Sequence, residues 1–282
     1  MSFSYEQSHV YWDGGTGTEM QKLGILGDPV LANLSQPEEV IKIHQSYVNA
    51  GANIITTNTF GAYRHKYENF AEIITAAIAN AHASINLVQD VSLTFNLGST
   101  GLMLEPYGDT TVEECASIYA ASLDCAVKNG LNCVLFETMM DLNELEIAVL
   151  EAKKRGMYVA ATMSFEPNGR TLYGTSLQEM VECLQRIGAE TIGMNCGQGL
   201  DDYKKFVPEL IKLLEPFNLH ALVQPNAGLP EMVDGKPQYN ILPQEYASFM
   251  AGIAIQGVKF LGGCCGTTPA HIAAMVEMCS QL

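Results

Sequence analysis

Nowhere in the 282 residues is there an apolar run approaching the ~20 that a membrane helix needs. Met1 to His9 is polar and lacks the basic-then-apolar order of a secretory leader. A cytoplasmic protein is therefore expected. Cations are scarce: 15 Lys and Arg stand against 31 Asp and Glu, a formal charge of -16. That balance disfavours phosphate backbones and anionic lipid, so neither nucleic acid nor a membrane is expected as a partner. No Ser/Gly linker, charge block or low-complexity segment divides the chain, which predicts one domain over 1–282. Histidine is sparse and unpaired. His9, His44, His65, His82, His220 and His271 contain no pair at ligand spacing and no H-E-x-x-H, so surface or helix-capping places are expected for them.

What is present is a globular composition, 48% apolar and 16% charged, with an alternation of short apolar runs and helical patterns. The runs are His9 to Asp13, Ala52 to Thr57, Val91 to Leu97, Asn132 to Glu137, Tyr158 to Ser164, Thr191 to Asn195, Leu219 to Gln224 and Val258 to Leu261. Between and after them, helical spacing covers Pro37 to Ala50, Ala71 to Val88, Val112 to Asn129, Leu142 to Arg155, Leu177 to Ile187, Asp201 to Leu214, Pro243 to Ile255 and Pro269 to Ser280. Thr111-Val112-Glu113-Glu114 reads as a capping box. Gly51, Gly130, Gly156 and Gly188 sit where a left-handed residue ends a helix. Eight strand–helix units in this length predict an α/β protein, a (β/α)8 TIM barrel, whose typical size is about 250 residues. An open doubly wound sheet is the alternative. The unusual residues favour the barrel because they follow strands and would converge on one mouth. They include Asp13-Gly14-Gly15-Thr16, Glu137-Thr138, Asn195-Cys196, Pro225-Asn226-Ala227-Gly228 and Gly263-Cys264-Cys265.

Eight cysteines invite a disulfide framework, but that argument belongs to short secreted chains, and thiols are expected here. Cys115, Cys125, Cys133, Cys183 and Cys279 fall inside helical or strand patterns and are expected as small buried hydrophobes. Cys196, Cys264 and Cys265 differ: each lies at a strand exit beside glycine. Three thiols so placed suit a catalytic zinc site with one open position. A thiol taking that position would bind as thiolate and stay electron-rich, ready to attack an alkyl group. The residues alone also allow a vicinal redox disulfide, thiols that only pack, or a structural zinc completed by another ligand. Structural zinc usually uses C-x₂₋₄-C knuckles, and none occurs around these cysteines.

At these residues the chain resembles the homocysteine S-methyltransferase family, and is most similar to the homocysteine-binding N-terminal domain of cobalamin-dependent methionine synthase. The resemblance runs from about His9 to Leu282. It rests on Asp13-Gly14-Gly15-Thr16-Gly17-Thr18-Glu19, Thr57-Asn58-Thr59-Phe60-Gly61-Ala62, Phe136-Glu137-Thr138, Gly169-Arg170-Thr171-Leu172-Tyr173-Gly174, Met194-Asn195-Cys196, Pro225-Asn226-Ala227-Gly228 and Gly262-Gly263-Cys264-Cys265-Gly266-Thr267-Thr268-Pro269. It implies zinc on Cys196, Cys264 and Cys265, with Asn226 as a fourth ligand only while substrate is absent. Homocysteine or a related small thiol is the implied substrate. Glu137 matches the family's residue for its ammonium, with Asp13 a second candidate and Asn195 a further contact. Its carboxylate wants backbone N–H groups, which the Gly14-Gly15-Thr16 turn could supply.

Three places depart from the pattern: Gly98-Ser99-Thr100-Gly101, Gly197-Gln198-Gly199-Leu200, and Gln224 ahead of Pro-Asn-Ala-Gly. They leave the donor open. No D-x-H-x-x-G cobalamin motif and no second barrel is found. The expected donor is methylcobalamin or another methylcorrinoid on a separate protein. Direct methylation from S-methylmethionine or betaine is the alternative, and so is a non-catalytic zinc- or thiol-binding barrel.

Overall fold

Eight short parallel strands form a ring, because each apolar run is buried on both faces, with helices outside and a packed interior within. The computed structural model describes residues 8–25, 27–86, 88, 90–197, 199–233 and 236–282. The strands are β1 (Val10–Tyr11), β2 (Ile54–Thr56), β3 (Ser92–Leu97), β4 (Cys133–Met139), β5 (Tyr158–Met163), β6 (Thr191–Cys196), β7 (His220–Pro225) and β10 (Phe260–Leu261). An antiparallel hairpin, β8 (Glu231–Val233) and β9 (Lys236–Gln238), stands apart from the ring. Around the barrel the order is β1-β10-β7-β6-β5-β4-β3-β2. A single parallel bridge, Trp12 to Ile54, joins β1 to β2 and completes the circuit.

The helices are α1 (Thr16–Lys22), α2 (Ala32–Ser35), α3 (Pro37–Asn49), α4 (Phe70–Ile85), α5 (Val112–Lys128), α6 (Leu142–Lys154), α7 (Leu177–Arg186), α8 (Leu200–Leu214), α9 (Pro243–Ala254) and α10 (Pro269–Cys279). Thus the expected (β/α)8 architecture is what forms, with most boundaries shifted by one or two residues. The spacing did not reveal α1, α2 or the hairpin, which are too short for periodicity to register. Gly51, Gly130, Gly156 and Gly188 all have positive φ, from 66° to 96°, as helix ends require. Thr111 caps α5 by accepting from Glu114 N at 3.1 Å. Boxes closed from both sides form instead at Ser176–Glu179 and Thr268–His271.

The barrel interior has two tiers, and strand alternation produces both. Val10, Trp12, Ile54, Leu135, Ala160, Leu222 and Phe260 form an apolar plug distinct from the larger core under the helices. Two residues further along four of those strands, the same face carries Thr56, Glu137, Thr162 and Gln224. These four are polar residues next above the plug, on the side of the mouth.

One histidine corrects its expected place. His44 is on the buried face of α3, four residues from both Val40 and Val48, and is fully inaccessible. Neither ring nitrogen has a partner, and burial pushes its pKa down to about 4, so it is held neutral as part of the core. His271 does cap, through the Thr268 box.

Candidate metal and substrate site

The mouth of the barrel encloses a cavity of about 280 Å³. Asp13, Gly14, Gly15, Thr16, Thr56, Asn96, Glu137, Thr138, Gln224, Cys196, Cys264 and Cys265 line it. The three cysteines come together although 68 residues separate Cys196 from Cys264. Their sulfurs all lie within 4.8 Å of one another. Among the described residues this is the one group of His, Cys, Asp and Glu side chains so arranged.

Local backbone makes this convergence possible. Cys196 ends β6 with φ at 57°, a left-handed conformation rare for a residue with a Cβ. It turns the sulfur out of strand alternation. Cys264 and Cys265 leave β10 through glycine. Thr267 ties that turn to the one after β1: its Oγ1 donates to Cys264 O at 2.6 Å and accepts from Gly15 N at 3.1 Å. The packing leaves no room for side chains there. A Cβ on Gly15 would lie 2.7 Å from Cys264 O, and one on Gly14 would lie 2.7 Å from Thr267 Oγ1. The remaining cysteines are free thiols. Cys115, Cys133, Cys183 and Cys279 are buried and Cys125 is half-buried.

Asn195 is placed differently from its expected role. It is 1% exposed and does not line the cavity. Its Oδ1 accepts from Thr138 N and Thr162 Oγ1, both at 2.8 Å, and its Nδ2 donates to Thr138 Oγ1 at 2.7 Å. Nδ2 also reaches Cys264 Sγ at 3.6 Å. With its amide spent on protein, Asn195 braces β4, β5 and the thiol turn rather than facing a ligand. Thr138, which it holds, also has a left-handed φ of 56°, at an irregularity in the β4–β5 register. Asn226 is 3% exposed, and its Oδ1 is buried with no hydrogen-bond partner. It lies close enough to Cys196 for its side chain to favour that thiolate.

The acidic residues sit across the cavity. Asp13 is 2% exposed and accepts from Thr56 N at 2.8 Å and Thr56 Oγ1 at 2.9 Å. Burial pushes its pKa up to about 8 against the effect of those bonds, and the charge of Glu137 adds to the rise. Glu137 is half-buried and accepts from Asn96 Nδ2 at 2.7 Å. Burial raises it to about 7. No basic residue pairs with either carboxyl among the hydrogen bonds and ion pairs of the described residues. Hydrogen bonds from the Cys264 and Cys265 thiols pull the Cys196 thiol down, while those two are pushed up.

The amide cradle after β1 is narrower than its sequence suggests. Gly15 N is taken by Thr267, and Thr16 N donates to Gly14 O at 2.8 Å. Of the three expected donors, Gly14 N alone keeps no internal acceptor among the described residues.

The donor set fits a soft tetrahedral cation. Zn–S bonds of about 2.3 Å put thiolates about 3.8 Å apart, inside the observed limit, and the orphaned Asn226 oxygen sits beside them. The cluster could hold a metal ion.

The family model for homocysteine S-methyltransferase matches residues 10–279. The chain belongs to the homocysteine S-methyltransferase family. Among relatives of that family, the methionine synthase of Mycobacterium leprae is 30% identical over 296 residues, covering 95% of this chain and 24% of the relative. The methionine synthase of Mycobacterium tuberculosis is 30% identical over 284 residues, covering 92% and 24%. The chain thus spans about a quarter of the length of these curated relatives. The metallated form of the homocysteine methyltransferase MmuM from Escherichia coli superposes with a TM-score of 0.79 at 19% identity, covering 98% of this chain and 97% of that one. At that identity the likeness speaks for the fold.

Three features of this family member's mouth escaped the sequence reading. Asn96 and Thr56 were not singled out, though alternation from Thr94 and Ile54 places both above the plug. Glu144 on α6 is 3% exposed and clamps the turn after β3, accepting from Ser99 Oγ, Thr100 N and Thr100 Oγ1 at 2.7 Å and from Tyr119 at 3.0 Å. The atypical Ser99 is thus a donor to a buried carboxylate. Gln224 lines the cavity with Oε1 buried and unpartnered, while Gln198 lies outside the described residues.

Proposed function

We propose that this chain binds zinc through Cys196, Cys264 and Cys265 and transfers a methyl group to the sulfur of homocysteine, giving methionine. The observation that carries this reading is the thiol cluster facing an acidic wall within one small cavity. Zinc bound there would hold the substrate sulfur as a thiolate at neutral pH. Everything else falls to the chain. Glu137 would pair with the ammonium, and the same pairing would favour its ionised form. Asp13 would add acidic character from β1 while bracing β2 through Thr56. Gly14 N would meet the carboxylate. Asn226 Oδ1 would take the fourth position on zinc between substrates and yield it to sulfur, since an amide oxygen is a poor partner for so soft a site.

The donor in this reading is a methylcorrinoid carried by a partner. Thr57-to-Ala62, Pro225-to-Gly228 and the 30% identity to methionine synthases support that choice. A cytoplasmic setting would keep the thiols reduced, as the site needs. No helix among the described residues is long and apolar enough to cross a bilayer.

The test is metal analysis followed by a donor panel. The expected result is about one zinc per chain, with methionine formed from methylcobalamin or a methylcorrinoid protein. Protein that takes up no zinc would refute the site. Rapid methylation from S-methylmethionine or betaine without corrinoid would refute the donor. Zinc with no turnover from any donor would favour a non-catalytic thiol-binding barrel.

A further inference from the structure

Asn96 is a buried polar residue of the mouth to which nothing above assigns a task. It is 7% exposed and lines the cavity beside Glu137. Its backbone is fixed on both sides: Asn96 N donates to Thr57 Oγ1 at 3.2 Å, and Asn96 O accepts from Thr59 Oγ1 at 2.8 Å. Its side chain is fixed as well. Nδ2 donates to Glu137 Oε1 at 2.7 Å; a carboxylate ionised beside a bound ammonium can only accept, so the amide keeps this orientation when the site is filled. Oδ1 must then point away from Glu137. It is buried and has no partner. An acceptor left so costs free energy unless a ligand supplies a donor.

We propose that Asn96 Oδ1 and the free oxygen of Glu137 form a two-acceptor cradle for the ammonium of the bound amino-acid thiol, and that Asn96 makes the site selective for that ammonium. The inference rests on the reading that homocysteine occupies this cavity. An ammonium brings three N–H donors and a positive charge. Glu137 answers the charge and one donor, and Asn96 answers a second. Asp13 is a weaker competitor for that place, because its oxygens already accept from Thr56. A thiol without the amino group would bury Oδ1 with nothing to satisfy it. Sites built to bond a polar group reject analogues lacking it for this reason.

The experiment is a cycle of residue against ligand, read by calorimetry on the zinc-loaded protein. Homocysteine is compared with 4-mercaptobutyrate, which keeps the thiol and carboxylate and lacks the amine. Wild type is expected to prefer homocysteine by at least about 100-fold. In Asn96→Leu that preference should shrink by about tenfold or more, through weaker homocysteine binding and equal or tighter 4-mercaptobutyrate binding. Asn96→Asp retains an acceptor oxygen and should keep most of the preference. Equal losses for both thiols in Asn96→Leu would show a merely structural role and overturn the proposal. So would an unchanged preference in Asn96→Leu, or its collapse in Asn96→Asp as well. If Asn96→Leu does not fold, Asn96→Ala, which also lacks the acceptor, is read by the same outcomes. Failure of wild type to bind either thiol would instead remove the functional reading beneath the proposal.

Discussion

The sulfur wall of the mouth comes from the second half of the barrel, Cys196 at the end of β6 and Cys264-Cys265 after β10. The oxygen wall comes from the first half, with Asp13, Thr56, Asn96 and Glu137 at or beyond the ends of β1 to β4. They are built by different means. Thr56 and Glu137 follow ordinary alternation, two residues above Ile54 and Leu135 of the plug. The sulfur wall breaks alternation. Adjacent cysteines in a strand would point to opposite faces, so both can serve one site only where the strand has ended. Cys196 joins them through a left-handed backbone braced by its neighbour Asn195. The contrast teaches how a barrel can hold a ligand with a soft end and a charged end. Regular strands supply the charged end, and strand termini supply the soft one.

The sharpest way to break this comparison is to remove one sulfur. Cys265→Ser should reduce bound zinc from about one per chain to a small fraction, and methyl transfer by about 1,000-fold or more. Elemental analysis and a methionine assay would check both. Glu137→Gln acts on the other wall alone. Losing one charged hydrogen bond of about 2–3 kcal/mol should weaken homocysteine binding about 30- to 150-fold, with zinc content unchanged. If zinc fell too, the walls would not be independent.

Asp13 gives a test by pH. Its pKa is raised in the fold to about 8, so the folded state holds a proton that the unfolded state releases above about 4. Stability of the metal-free protein should fall as pH rises between those values, and Asp13→Asn should flatten part of that fall. Denaturant midpoints at about pH 5 and about pH 9 would show it. The smallest effect is expected at Ser99. Ser99→Ala removes one donor to Glu144 and should cost about 1 kcal/mol, a fall of about 2 °C in Tm, with both walls still functional.

The legibility of these parts followed the range of the interactions behind them. Strand and helix positions could be read because burial imposes a period on local sequence. Cys196, Cys264 and Cys265 stood out because glycine and strand exits surround them. The bracing bonds of Asn195 cannot be read from the sequence because its partners Thr138 and Thr162 lie 57 and 33 residues away. Glu144 was invisible for the same reason, since three of its four donors come from a turn 44 or 45 residues earlier. Its own helix shows only an acidic residue near the start of α6, where surface exposure is the ordinary expectation.

The order of strands and helices, the acidity of the chain and the identity of the thiols follow from the sequence by itself, because each depends on residue type and short-range spacing. Which oxygens are spent and which are left open was decided only by the tertiary structure. Asn195 and Asn96 are both asparagines near the end of a barrel strand. One has its amide consumed by neighbouring strands, and the other, on a residue that lines the cavity, has an oxygen buried without a partner. Hydrogen bonds are made by atoms that meet in space, and the meeting of β3 with β4, or of β6 with β4 and β5, exists only once the ring has closed.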